Sequence, residues 1–107
     1  MILTNLETVP GLAIHQHLGL VQGSTIRAKH VGRDFMAGLK NLVGGEVKSY
    51  TSLLIQARDE ATQRMVDQAQ QLGANAVVNI RFSTSSVMQG AAEIFAYGTA
   101  VVVGDQL

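Results

Sequence analysis

The chain has 107 residues, 47% hydrophobic and 15% charged, and its eight Lys/Arg balance eight Asp/Glu for a formal net charge of zero. That length predicts one domain, residues 1–107, with a single core, and the charge balance excludes the electrostatic footprint of a nucleic-acid or membrane-surface protein. With no cysteine, neither disulfides nor thiolate metal sites are available.

The opening residues, Met1 to Glu7, lack the basic and unbroken apolar regions of a signal peptide, and no stretch approaches the length needed to span a bilayer. Cytoplasm is the expected compartment. A charged fraction of 15% lies below the usual quarter, which implies that another subunit covers part of the surface.

In chain order, Ile2 to Leu6 predicts a short edge strand before a Val9-Pro10-Gly11 turn. Leu12 to Val21 alternates as a strand, with Leu12, Ile14, Leu18 and Leu20 directed one way and Ala13, His15, His17, Gly19 and Val21 the other. Gln22-Gly23-Ser24 is expected to end it, before a second short strand at Thr25 to Ala28. Val31 to Val43 has helical spacing, with Val31, Phe35, Leu39 and Leu42 on one stripe, and Gly44-Gly45 breaks it.

A long helix follows, from Ser49 to Leu72. Leu54, Ala57, Ala61, Met65 and Leu72 recur at three- and four-residue steps and form its inward face. Ile55 and Val66 project from the polar side, and Asp59, Glu60 and Asp67 are solvated charges. Ser49, Thr51 and Ser52 offer capping oxygens, and Gly73 stands where a left-handed residue closes the helix. Ala76 to Ser83 predicts a strand with Val78, Ile80 and Phe82 on one face. Ser83 to Gly90 reads as a hairpin loop. Ala91 to Val103 is a last strand apolar on both faces, with Ile94, Ala96, Ala100 and Val102 opposite Phe95, Tyr97, Thr99, Val101 and Val103. Such a strand is covered on both sides, one of them by the chain's own helices and the other by more protein. The fold class is α+β, helices on an antiparallel sheet.

Four motifs occur in register: Arg33-Asp34-Phe35-Met36-Ala37-Gly38, Val43-Gly44-Gly45, Leu72-Gly73-Ala74-Asn75-Ala76-Val77-Val78 and Gly98-Thr99-Ala100-Val101. With the Ile2-Leu3-Thr4 start and Val9-Pro10-Gly11, their order resembles the small bacterial and archaeal YbjQ-type family over essentially the whole chain. That family is labelled heavy-metal-binding and is otherwise of unknown function. The resemblance implies a subunit related to the dodecin-like fold, assembled as a cyclic homopentamer around a five-fold axis. This chain departs from the family pattern at Asn75, where an acid is frequent, and at Asn79, where glycine is frequent.

Three chemistries are open to the remaining residues. His15 and His17, two apart on a strand with Cα atoms about 7 Å apart, form a candidate chelate for a divalent transition metal such as Zn²⁺, Ni²⁺ or Cu²⁺, with His30 a distant third candidate. The plainer alternative is two polar residues on a part-exposed face. Arg33, Asp34, Gly44 and Gly45 form a candidate anion site, since glycine amides permit close approach of a ligand. There the plainer alternative is an ion pair across a subunit boundary. The glycine pair lacks the spacing and the Lys-Ser/Thr of a phosphate loop. Ser83 to Ser86 have no histidine placed to activate them, so no catalytic residue is assigned. The expected function is non-enzymatic: a homo-oligomer that binds a small ligand or partner at intersubunit clefts. The rivals are a metal-binding protein using His15 and His17, and an enzyme with an intersubunit site using Arg33, Asp34 and Glu93.

Overall fold

The computed structural model describes residues 1–27, 46–88 and 91–106. They form β1 (Ile2–Leu3), β2 (Ala13–Arg27), α1 (Glu46–Gln71), β3 (Ala76–Met88) and β4 (Ala91–Gly104). The strands make one sheet in the order β1-β3-β4-β2, with α1 packed on one face. The β3–β4 and β4–β2 pairs are antiparallel, but β1 runs parallel to β3, so the sheet is mixed rather than antiparallel as expected. The helix expected at Val31 to Val43, and the glycine pair after it, lie outside the described residues.

Helix α1 begins at Glu46, which leaves Ser49, Thr51 and Ser52 inside it rather than at its cap. Ala57, Ala61 and Met65 are buried as expected, joined by Ala69. Ile55 is exposed, but Val66, expected outside, is buried. Leu72 is the clear correction, being 46% exposed. It stands at the end of the helix, where Gly73 has φ 86°. The Gly73 N–H donates to the Gln70 carbonyl at 3.0 Å and the Ala74 N–H to the Ala69 carbonyl at 3.1 Å. These are the two bonds of a Schellman ending, in which a left-handed glycine costs little. The chain turns back beneath the last turn, and Ala74 rather than Leu72 packs against the core.

The core-facing side of α1 is mostly alanine, which lets the helix lie close to the sheet. Opposite are Val21, Val77, Ile80, Ile94, Ala96 and Ala100. Gly23 of β2 lies under the helix backbone itself. A Cβ placed there would stand 2.2 Å from the Ala61 carbonyl oxygen and 2.5 Å from the Met65 nitrogen.

β2 does not stop at Gln22-Gly23-Ser24 but continues to Arg27, because the helix covers Gly23 and fixes the strand there. Its register against β4 shifts between Ile14 and Gln16 and again between His17 and Gly19. Each shift inserts a residue and reverses the alternation beyond it. The two shifts cancel beyond Gly19, so Leu20 and Val21 keep the opposite sides that regular alternation gives them: Val21 is fully buried and Leu20 is 70% exposed.

β3 has a similar break. Val78 pairs with Thr99 and Arg81 with Tyr97, leaving an extra residue between them, where Asn79 has φ 55°. Asparagine tolerates this left-handed geometry better than most residues, which accounts for asparagine at a position where the YbjQ-type pattern favours glycine. The bulge splits the face expected for Val78, Ile80 and Phe82: Ile80 packs under α1, and Val78 packs on the other side with Ala76, Val101 and Val103. Phe82 is half exposed, and Val102 is half-buried rather than buried. Residues Ser83 to Met88, expected as loop, continue the strand.

Val9, Leu12 and Ile14 cover Ala76, Val78, Val101 and Val103. At this end the second apolar face of β4 is thus covered by the chain's own N-terminal segment. The Leu12 N–H donates to the Val9 carbonyl at 3.0 Å, closing the turn at Pro10-Gly11.

Helix α1 also guards the free edge of β2. Gln68 Oε1 accepts the Gln22 N–H at 2.7 Å, and Arg64 donates to the Ser24 carbonyl. Four helical residues rise about 6 Å and two strand residues about 6.6 Å, so the spacings match. Side chains occupy backbone groups that would otherwise recruit another strand.

Candidate functional site

His15 is the extra residue at the first register shift of β2. Its ring lies against Gly104, and its Nε2 is 3.1 Å from the Asp105 carbonyl oxygen. The regular alternation that would aim His15 and His17 together is interrupted between them. Among the described residues, no group of three or more His, Cys, Asp and Glu side chains could hold a metal ion. Two imidazoles fall short of the three protein ligands typical of a catalytic zinc site and the four of a structural one, so the described donor set does not fit a metal centre within one chain.

Asn75, the other departure from the family pattern, is used structurally. Its Nδ2 donates to the Val103 carbonyl at 2.9 Å and its Oδ1 accepts the Val103 N–H at 2.8 Å. The amide thus extends the sheet by one rung. A carboxylate could accept one of these bonds but not donate the other. Asn75→Asp is expected to cost about 1–2 kcal/mol at neutral pH, read as a lower urea midpoint at unchanged slope; a midpoint equal to wild type would show that the rung does not matter.

Arg33, Asp34, Gly44, Gly45 and His30 lie outside the described residues. Glu93 is half-buried near the far end of β4. His17 pairs with Val101 and Ile26 with Glu93, and eight residues of strand separate those partners by about 26 Å. His15 and His17 therefore cannot serve Glu93 or the hydroxyls of β3 in one chain.

On the sheet face away from α1, Leu20 is 70% exposed. Phe95 and Tyr97 flank Ala96 on β4, with ring centroids 5.3 Å apart. Across from them on β2 the register sets Gln22 opposite Tyr97 and Leu20 opposite Thr99. An exposed leucine beside an aromatic pair makes an apolar patch, the kind of surface that marks an interaction site. Gly19, within the strand, was the available sign of a bulge.

A family model for YbjQ proteins, described as "putative heavy-metal-binding", matches residues 1–104. The chain belongs to the YbjQ family. A UPF0145 protein of Hahella chejuensis is 67% identical over 103 residues, 96% of this chain and 99% of the relative. A UPF0145 protein of Archaeoglobus fulgidus is 58% identical over 101 residues, 94% of each. The crystal structure of a protein of unknown function from Pediococcus pentosaceus, a member of the DUF74 family, superposes with a TM-score of 0.65. It covers 97% of this chain and 98% of its own at 18% identity, a likeness of fold alone. These YbjQ relatives point to no enzymatic family, and among the described residues no helix is long and apolar enough to cross a membrane.

Proposed function

We propose that this YbjQ protein is a non-enzymatic homo-oligomer, a pentamer as its family resemblance implies, that binds a small ligand or partner at clefts between subunits. The observation that carries this is the open sheet face, where Leu20 is 70% exposed beside the Phe95–Tyr97 pair. The shape supports it. The molecule measures 57 × 25 × 16 Å with a radius of gyration of 17.0 Å, against about 13 Å for a compact domain of this length. A thin two-layer subunit gains most from a neighbour on its bare face, and a cyclic arrangement closes that contact without leaving a free end.

Light scattering is expected to give a mass about five times the 11.4 kDa of the chain, and native mass spectrometry should show what co-purifies with the assembly. A well-folded species of 11.4 kDa at micromolar concentration would overturn the reading. The family description favours a second reading, in which His15 and His17 bind a divalent transition metal with a donor from another subunit. Titration with Zn²⁺, Ni²⁺ and Cu²⁺ against the double His15/His17→Ala variant separates the two, because ligand binding at the open face would survive that change.

A further inference from the structure

The pairing of β1 with β3 is short. Its last bonds run from the Ile80 N–H to the Thr4 carbonyl at 3.1 Å and from the Asn79 N–H to the Leu6 carbonyl at 2.9 Å. Beyond Ile80, β3 is an edge strand, and between it and α1 lies an open groove of about 670 Å³. Leu3, Ile80 and Phe82 give the groove an apolar surface, Asn5 and Thr62 flank it, and among the described residues Arg81 is the one charged residue lining it. Leu3 and Phe82 are both more than 40% exposed, at 42% and 49%.

The Arg81 side chain is held in place. Its Nη1 lies 2.9 Å from the Asn5 carbonyl oxygen and 2.9 Å from that of Ile80. The two N–H groups of Nη1 are thereby spent, and the opposite edge of the guanidinium, Nε and Nη2, meets no acceptor among the described residues. That edge is a planar fork matched to the two oxygens of a carboxylate. Because both backbone carbonyls already fix the group, a ligand needs to immobilise little of the arginine, which lowers the entropic cost of binding. Among the described residues no acidic side chain lines the groove to compete for the fork.

We propose that this groove binds a small monocarboxylate with an apolar body, an aromatic or branched aliphatic acid, its carboxylate on the Nε–Nη2 edge of Arg81 and its body over Phe82 and Leu3. One guanidinium edge satisfies a flat monoanion, whereas a phosphate dianion calls for further cations or a helix N-terminus, and among the described residues no second cation lines the groove. The site goes beyond the intersubunit reading and does not depend on it, since every wall comes from one chain.

The test is a titration of ¹⁵N-labelled protein with phenylacetate, followed by NMR, with phenylacetamide as the uncharged control. Saturable shifts are expected at the Arg81 Nε–H and at the Leu3 and Phe82 amides, with a dissociation constant on the order of 1 mM, and the amide should produce none. Arg81→Gln should weaken binding about tenfold or more. Because that change also removes the bonds to Asn5 and Ile80, Thr62→Glu serves as a second variant. It sets a carboxylate in the groove wall while leaving the Arg81 bonds intact, and it should weaken phenylacetate by a similar factor. Equal shifts with the amide, binding unchanged in both variants, or no saturable shift with wild-type protein would each overturn the assignment.

Discussion

Gly23→Ala is expected to destabilise the protein by about 3 kcal/mol, at the upper end of what overpacking costs. A glycine inside a strand is ordinarily a weakness, and alanine there is ordinarily favoured by some tenths of a kcal/mol. Here the sign reverses. The added methyl group would lie 2.2 Å from the Ala61 carbonyl oxygen, 2.5 Å from the Met65 nitrogen and 2.8 Å from Arg64 Cβ. Two of these three are helix backbone, which cannot swing aside as a side chain does. Relief requires the whole of α1 to lift by about an ångström, which strips dispersion contacts along its length from Ala57, Ala61, Met65 and Ala69. It also stretches the bonds of Gln68 to Gln22 and Arg64 to Ser24 on either side of the contact. Urea unfolding measures the loss. Adding Ala61→Gly should not restore the midpoint, because the obstruction is the Ala61 carbonyl and not its methyl group. A loss below about 0.5 kcal/mol, the scale of a surface change, would mean that the helix sits farther from β2 than the structure places it.

Gly23 also shows why parts of this fold were legible in the sequence and others were not. The long helix was legible because Ala57, Ala61 and Met65 repeat with the helical period, and its end because Gly73 is the residue a left-handed turn prefers. β4 was legible because its alternation is unbroken from Ile94 to Ala96. Periodicity failed wherever the backbone inserts one residue. Bulges at His15, Leu18 and Asn79 each reverse the alternation: those in β2 move Leu18 to the side of Val21 and cancel beyond Gly19, and the one in β3 parts Val78 from Ile80. Ser83 to Met88 read as loop by composition but form strand because β4 pairs with them through Ala91; a long-range partner decides what local propensity leaves weak. Gly23, read as the end of a strand, is the contact point of the helix. The covering of Val101 and Val103 by Val9, Leu12 and Ile14 joins opposite ends of the chain, and no local pattern announces such a contact.

Site chemistry was less legible still. The two histidines share a strand, but the first register shift parts them and His15 turns to the Asp105 carbonyl. Arg81 carried no motif. It gains meaning only when Asn5, some 76 positions away in sequence, arrives beside it.

A charge introduced at Val101 and one at Leu20 should have opposite consequences, although both residues belong to the face of the sheet away from α1. Val101 is fully buried in the single chain, enclosed by Val9, Ala76, Val78 and Val103. The N-terminal segment covers it within the single chain. Val101→Asp puts an unpaired carboxyl among valines, at a cost of several kcal/mol against a total stability of about 5–15 kcal/mol. The subunit itself should unfold or nearly so. Burial favours the neutral acid, so the folded pKa of the introduced carboxyl lies above its unfolded value of about 3.9. The damage should therefore ease as pH falls towards that range and be greatest at neutral pH. Leu20 is 70% exposed, so Leu20→Asp should change the stability of an isolated subunit by no more than about 0.5 kcal/mol. If the open face is where subunits meet, the same substitution buries a charge in each interface, and the assembly should fall towards a folded 11.4 kDa species. Circular dichroism reads the fold and light scattering the mass. Unfolding of Leu20→Asp at wild-type mass, or full retention of the assembled mass, would remove Leu20 from the interface and with it the observation on which the intersubunit site rests.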